Sequence, residues 1–366
     1  MKMRFLKKAS ACLCIAAMLA GGMGTAEAGE QEERVMDWKH MEIRDFPMMQ
    51  EDSGGTLLFS DSPEYVRKDG ILYSDVVSGR VRLYYYHVND TKKPKQIVAL
   101  AENVTGKFNT IEIQQGVISG SSDDYCKVGK GSQELYYGRP QTDTEFFVSK
   151  KTKLLDRRMA ERVVKKDELI CGIYDFTTEQ PVRISVLAYP EGTDPVEFLK
   201  KAESHKKDHV MLRGTYREAE RTLRAEHPYD PAQDGTAGFL LADGVVDVFK
   251  TGVDAMDGSQ VTDVGNYGVN YHIDVPTTGE GRFRCYLRPM GGAYAGFMTV
   301  RADNAPAVHH PVPSATLVFG DEESRKEGAA EEEYLGAFEA GQRLHVEFSP
   351  PGASNLPVQI VFVPEE

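Results

Sequence analysis

The sequence predicts an all-β protein with minor helix, built as two tandem antiparallel β-sandwich domains of Ig-like or jelly-roll-like type. Three observations carry this prediction. Short runs rich in Val, Ile, Tyr, Phe and Thr recur along the chain, separated by Gly, Asp, Asn, Pro or Lys clusters. In RVRLYYYHV, Val81, Leu83, Tyr85 and His87 alternate with Arg82, Tyr84, Tyr86 and Val88, the period of two of a strand half buried in a sheet. The same texture occurs on both sides of a polar stretch, with no short-period repeat of solenoid or propeller type.

The chain opens with Lys2, Arg4, Lys7 and Lys8, then the apolar run ACLCIAAMLAGGMG, then Ala26 and Ala28 spaced as an A-x-A cleavage site. This predicts a secretory signal peptide over residues 1–28. The apolar run is too short to span a bilayer permanently, and no later stretch reaches spanning length, so no transmembrane anchor is expected. Removal of the four basic residues and Glu27 moves the formal charge from −13 to −16. Such acidity disfavours nucleic acid and anionic membranes as partners. The exported product is expected to be extracellular, cell-surface or periplasmic.

Residues 29–53 form a charged, Met-rich leader with the sole tryptophan, Trp38. His40, Met41, Met48 and Met49 are a conceivable copper set, although a leader packing its apolar residues on the first domain is the simpler expectation. The first domain, 54–206, has strands at TLLFS, ILYSDVV, RVRLYYYHV, QIVALAENV, FNTIEIQQGV, TEFFVSK and RISVLAYP. KLLDRRMAERVVKKDEL fits a short helix or a charged strand pair. Asp194 to Lys206 predicts a helix, capped by Asp194 with Pro195 at its first position.

The second domain, 207–366, begins with GTYREAERTLRAEHPYDPAQDG, which reads as a polar connector. Strands follow at TAGFLLADG, VVDVF, GVNYHIDV, RFRCYLR, YAGFMTVR, ATLVFG, RLHVEF and PVQIVFV, with GDEESRKEGAAEEEY as a solvated insertion. In GNYGVNYHIDV, Val269, Tyr271, Ile273 and Val275 share one face, and Gly265 and Gly268 mark a tight entry. TTGEG then predicts a hairpin turn into RFRCYLR. Three cysteines survive cleavage. Cys126 and Cys171 could pair, leaving Cys285 as a buried apolar residue.

GTLLFSDSPEYV, VRLYYYHVN, CGIYDF, GNYGVNY and SPPGASNLPVQI together resemble a group of exported, uncharacterised Firmicutes proteins, some named after a copper-amine-oxidase N-terminal-like domain. The resemblance spans roughly residues 55–365 and implies an exported β protein with no known activity. Copper amine oxidases build a quinone from the first Tyr of an N-Y-D/E-Y motif beside three histidines. Here Asn266-Tyr267 is followed by Gly268 and Val269, and no H-x-H occurs. Tyr267 is therefore expected to be structural with respect to that chemistry.

Other chemistry is sparse. His309 and His310 are candidate metal ligands in a proline-bounded segment. Asp254 and Asp257 belong to a loose acidic series, with Asp243, Asp247 and Asp263, from which Ca²⁺ could draw ligands, though the D-x-D-x-D-G spacing is missing. A glycosidase would need paired carboxylates, for which Glu112, Asp274 and Glu347 are strand-borne candidates. The better-marked hydrolase, zinc-protease and nucleotide motifs are absent. Sugars dock on exposed aromatic faces, which nominates Tyr267, Tyr271 and Tyr294 as ligand-binding residues. The sequence therefore predicts an exported non-catalytic module that binds glycan, cell-wall polymer or an envelope protein, with no cofactor beyond possible Ca²⁺. The alternatives are a carbohydrate-active hydrolase and a metal-binding exported protein.

Overall fold

The computed structural model describes residues 36–138, 142–147, 150–315, 317–319 and 332–365, with backbone only for 146–147. The expected signal peptide and most of the charged insertion lie outside the described residues. The chain divides into two compact units, Met1–Met41 and Glu42–Glu366. The described part of the first is a turn in which the His40 and Met41 N–H groups donate to Asp37 O. The second unit carries the sheets.

Its spine is a pair of long antiparallel strands, Gly70–Asn89 and Leu169–Pro190, paired from Gly70–Ala188 to Val88–Leu169 with register shifts between Thr178 and Val182 and between Val186 and Leu187. ILYSDVV and RVRLYYYHV thus lie on a single strand, as do CGIYDF and RISVLAYP. Thr56–Ser60 runs parallel to residues 81–85 of the first long strand and continues outward into Arg213–Tyr216, Lys250–Val253 and Gln260–Asp263. On the other side, Lys95–Asn103 and Asn109–Ile118 each pair with one half of Leu169–Pro190.

The alternation in RVRLYYYHV is real, but it separates one core from another rather than core from solvent. Leu57, Phe59, Tyr84, Tyr86 and Val88 join a core shared with the rest of the unit. Leu58, Leu83, Tyr85, Val186 and Leu187 face a second core on the opposite side. That second core takes in Met159 of the 3₁₀ turn Arg157–Glu161, and Phe198 and Leu199 of a short helix pack against it. Asp194 caps this helix as expected, accepting from the Val196 and Glu197 N–H groups at 2.8 and 2.9 Å. The helix ends at Leu199 rather than Lys206, because residues 203–205 hydrogen-bond instead to Ile71 of the long strand.

Two further sheets face each other as a sandwich. One orders Arg44–Asp45, Ala237–Leu241, Val358–Pro364, Arg282–Pro289 and Glu333–Glu339; the other orders Val308–Val312, Gly296–Ala302, Arg343–Phe348, Asn270–Pro276, Glu220–Ala225 and Met48–Ser53. Phe283, Cys285 and Leu287 of the first meet Tyr271, Ile273 and Val275 of the second in the shared core. Parallel pairs occur alongside antiparallel ones, so the sheets are mixed.

Several local expectations are corrected. Residues 44–53 of the leader supply edge strands to both sheets of the sandwich. The presumed connector begins within the strand Arg213–Tyr216 and contains Glu220–Ala225, and the first of these extends the sheet built from residues 56–190. A boundary near Lys207 is therefore not a boundary between sheets. TTGEG makes no hairpin: it carries the chain from one sheet of the sandwich to the other, with Gly279 and Gly281 at positive φ and Thr277 bonded to Gln342 O. VVDVF is a turn held by Asp243, with Val245 and Val246 exposed. Tyr125–Tyr137 is a helix the sequence did not announce, capped by Asp124. Cys171 and Cys285 are buried thiols, and Cys126 directs its Sγ–H at Ala353 O, so no Cys126–Cys171 disulfide forms. Among the described residues, no helix is long and apolar enough to cross a membrane.

Because consecutive residues of Thr56–Ser60 serve opposite cores, Leu57→Ala and Leu58→Ala are each expected to cost about 2–5 kcal/mol in equilibrium denaturation. A strand with one solvated face would leave one of the two nearly neutral.

Candidate functional site

Tyr267 settles the question posed by its glycine flanks. Asn266 and Gly268 sit at positive φ, and a Cβ on Gly268 would fall 2.9 Å from Tyr84 Cβ, so the backbone here needs glycine. The Tyr267 hydroxyl donates to Ser354 O at 2.6 Å, and its ring stacks on Phe59 at 6.1 Å. Burial pushes its phenol pKa up. Tyr271 is fully buried, donating to Asp247 Oδ2 at 2.8 Å and accepting from Asn266 Nδ2 at 2.7 Å. Tyr294 is fully buried too. Neither of these last two rings offers a face to a sugar in solvent.

The metal candidates do not converge. His309 and His310 are consecutive on a strand and point to opposite sides of the sheet, His309 edge-on to Phe297. Asp254 accepts from Arg213 Nε at 2.8 Å, and Lys207 Nζ lies 3.4 Å from Asp254 and 3.1 Å from Asp257. The chain's own cations occupy those carboxylates. Asp247 and Asp263 are turned inward, to Arg221 and to the Tyr267 N–H. Met48 and Met49 are likewise consecutive on a strand, and His40 bonds Asp37. Among the described residues no group of three or more His, Cys, Asp or Glu side chains could hold a metal ion. Of the carboxylates, Glu112 lies on the long-stranded sheet, whereas Asp274 and Glu347 are on the sandwich, with Asp274 engaged by Arg343 at 3.1 Å.

The site that sequence reasoning missed is centred on Arg82. It is a cavity of about 260 Å³ at the seam between the long-stranded sheet and the sandwich, with Arg80, Arg82, Gln114, Tyr136, Asp175, Thr177, Glu220 and Asn270 in its wall. The fold assembles it from three directions. Arg82 and Asp175 are cross-strand partners, as are Arg80 and Thr177. Gln114 stands at an irregularity between Ile113 and Gln115 where the ladder skips one residue, the kind of bulge that re-aims a side chain. The helix Tyr125–Tyr137 brings in Tyr136, and Glu220 and Asn270 come from neighbouring strands of the sandwich. Gly55 lines the wall because a Cβ there would lie 2.0 Å from Arg80 O.

Arg82 is only 4% exposed. Its Nη1 donates to both Asp175 oxygens at 3.0 Å and to the Tyr136 hydroxyl at 2.9 Å, and that hydroxyl in turn donates to Asp175 Oδ2 at 2.6 Å. The guanidinium carbon lies 4.7 Å from the Tyr136 ring centroid. Burial opposes the charge, but Asp175 and the Tyr136 and Tyr137 hydroxyls together outweigh it and hold the guanidinium cationic. Nε and Nη2 have no hydrogen-bond partner in the protein. The other deeply buried arginines differ. Arg213 reaches Asp254 and the Ser62, Leu72 and His205 carbonyls, Arg221 reaches Asp52, Asp247 and Val248 O, and neither leaves a buried donor unmatched.

No family model matches the chain, and no curated protein matches it. Among solved structures, the CUB1-EGF-CUB2 domains of rat MASP-1 align over 86% of this chain and 97% of that one, at 8% identity and a TM-score of 0.18. A likeness of that size carries no argument. The Arg82 cavity must be interpreted on its own chemistry. The two unmatched Arg82 donors have no accessible surface, so a ligand in the cavity meets the rim groups instead. Its rim is amide, hydroxyl and ion pair: Gln114 Nε2 donates to Thr177 Oγ1 at 3.0 Å, Tyr137 donates to Asn270 Oδ1 at 3.1 Å, and Arg80 meets Glu220 at 2.5 Å. The sequence held one signal for it. Arg82 is the charged member of a strand face otherwise made of Tyr84, Tyr86 and Val88.

On the same strand His87 is fully buried, and its Nδ1–H donates to Pro63 O, which leaves Nε2 to accept from Ser60 Oγ at 2.9 Å. Burial pushes its pKa from 6.5 down to about 3. The unfolded chain therefore binds a proton that the folded one does not, and stability from this group is complete above about pH 6.5 and lost as pH falls toward 3. Asp61 and Asp263, whose pKa values burial raises, act with the opposite sign. The difference in unfolding free energy between the native protein and His87→Gln, followed from pH 7 to pH 4, isolates the histidine. It should shrink as pH falls, and a constant difference would refute the assignment.

Proposed function

We propose that this is an exported, non-catalytic binding module of the cell envelope or exterior, and that it holds its ligand in the Arg82 cavity. The observation that carries this reading is a polar cavity whose wall joins Arg80, Arg82, Asp175, Glu220, Gln114, Thr177 and Asn270 from two sets of strands. Export rests on the signal-like N-terminus and on the resemblance to exported Firmicutes proteins. Glycan, cell-wall polymer and an envelope protein all supply acceptor oxygens, and the rim of amides, hydroxyls and ion pairs suits the hydroxyl-rich members of that set.

The test is a glycan and cell-wall-fragment array probed with the purified protein, in Ca²⁺ and in EDTA, beside Arg82→Gln. Binding in the native protein, weakened about 10- to 100-fold by the substitution, is the expected result, the scale of a lost charge-assisted hydrogen bond. Binding that Arg82→Gln leaves intact places the ligand elsewhere and overturns the role of the cavity.

A further inference from the structure

The acidity of the chain is not evenly spread. Residues 150–166 carry eight cations against Asp156 and Glu161, on a protein of formal net charge −13. This segment runs antiparallel along the outer edge of the strand Lys95–Asn103. Lys153 pairs with Ala101, the Leu155 N–H donates to Ala99 O at 2.9 Å, and Val164 and Lys95 exchange backbone hydrogen bonds at 2.8 and 2.9 Å. The turns at the two ends of that strand are built alike. Asn89 and Asn103 are fully buried, and each accepts from the N–H and hydroxyl of the threonine two residues on. Their Nδ2 groups donate to Lys93 O and Lys107 O at 2.9 and 2.7 Å. Each turn therefore fixes a lysine backbone while its side chain stays in solvent.

Unpaired charge collects at both ends. Lys92, Lys93, Arg162 and Lys165 lie at one, beside the Lys95–Val164 bridge, and Lys107, Lys150 and Lys151 at the other, where the Asn103 N–H donates to Lys151 O. All seven are exposed and outside the strands, and among the described residues their side chains form no ion pair. Between the ends the charge is answered: Lys153 and Arg157 reach Glu145 at 3.4 and 3.8 Å, and Arg158 holds Asp156. Lysine on a sheet edge also hinders pairing with foreign strands, but these cations stand in turns and loops, which have no ladder to protect. The nine residues of Lys95–Asn103 set the two ends roughly 25–30 Å apart. A small anion can occupy one end only. A chain of charges can occupy both, releasing counterions at each contact. Six of the seven cations are lysines, compact point charges that suit tetrahedral phosphate oxygens more than the planar carboxylate an arginine fork grips. Residues 150–166 contain no aromatic ring on which nucleic-acid bases could stack.

We infer that this edge is a docking surface for a linear polyol phosphate, a polymer with one phosphodiester in each repeat, lying along Lys95–Asn103 and held at both ends. None of these cations lines the Arg82 cavity, so the surface stands independently of the site proposed above.

The experiment is titration of the purified full-length protein with synthetic poly(glycerol phosphate), in a length that spans both ends and in one too short to do so, between about 50 and about 200 mM salt. Polygalacturonate, single-stranded DNA and phosphatidylglycerol vesicles are run beside it at matched charge. The long polymer should bind, and the short one about tenfold or more weakly. The logarithm of affinity should fall against the logarithm of salt by about 0.7 for each phosphate engaged. Replacing Lys107, Lys150 and Lys151 together by Gln, or Lys92, Lys93 and Lys165 together, should weaken the long polymer about 10- to 100-fold and reduce that slope by about two. Arg217→Gln, at an exposed cation on the opposite flank of the sheet, should change neither. Every substituted side chain is exposed, and unchanged thermal unfolding verifies that each variant is folded. Equal affinity for long and short polymers overturns the two-ended surface. Polygalacturonate, DNA or vesicles binding as tightly as the polymer overturns the polyol phosphate. Absence of salt-dependent binding, or binding that both triple variants leave intact, overturns the docking surface altogether.

Discussion

Two strands of twenty or more residues, hydrogen-bonded to each other and covered on both faces over part of their length, are the element on which the rest of the molecule is built. Over residues 81–89 the first of them has no solvent side. A buried polar group on such a stretch must find a partner within the protein. The apolar residues divide cleanly, Leu83 and Tyr85 to one core and Tyr84 and Tyr86 to the other. The polar ones are answered one at a time: His87 by Ser60 and Pro63 O, Ser185 by Ser74, Thr178 by Asn109.

Arg82 is where that rule breaks. The fold has shown with Arg213 and Arg221 that it can bury a guanidinium and satisfy it, by surrounding it with carboxylates and carbonyl oxygens. Both of those act as staples. Arg213 ties Asp254 to the carbonyls of Ser62, Leu72 and His205, and Arg221 ties Asp52 of an edge strand to the turn at Asp247. At Arg82 half of the fork is satisfied in the same way and the other half is not, and the unsatisfied half belongs to a residue that lines a cavity. A buried cation with unmatched donors works against stability, and departures of this kind from local consistency concentrate at functional sites.

The sandwich completes the wall of the cavity. Ala219, Glu220 and Asn270 complete a wall that the long-stranded sheet begins. They can do so because the chain does not finish one set of sheets before starting the next: residues 44–53 leave edge strands on the sandwich, and Arg213–Tyr216 returns to the side of Thr56–Ser60. Glu220 and Gly55 thus come together although they are far apart in the chain.

Much of this was legible residue by residue. TLLFS, QIVALAENV, GVNYHIDV, RFRCYLR and RLHVEF are strands because β-branched and aromatic residues at a period of two suit a pleated, buried surface, and the Asp194–Pro195 helix start follows from its cap. The sequence by itself determined the all-β class, the alternation of side chains and the glycine-dependent entry at Tyr267, since each depends on neighbours within a few residues. Tertiary structure alone decided that both faces of RVRLYYYHV are buried, that TTGEG crosses between sheets, that Tyr271 and Tyr294 are core, and that Arg82 stands half satisfied in a cavity wall. Those outcomes depend on which distant segment covers a face or reaches a donor. Periodicity records only that a face is apolar, and carries no information about what will lie against it.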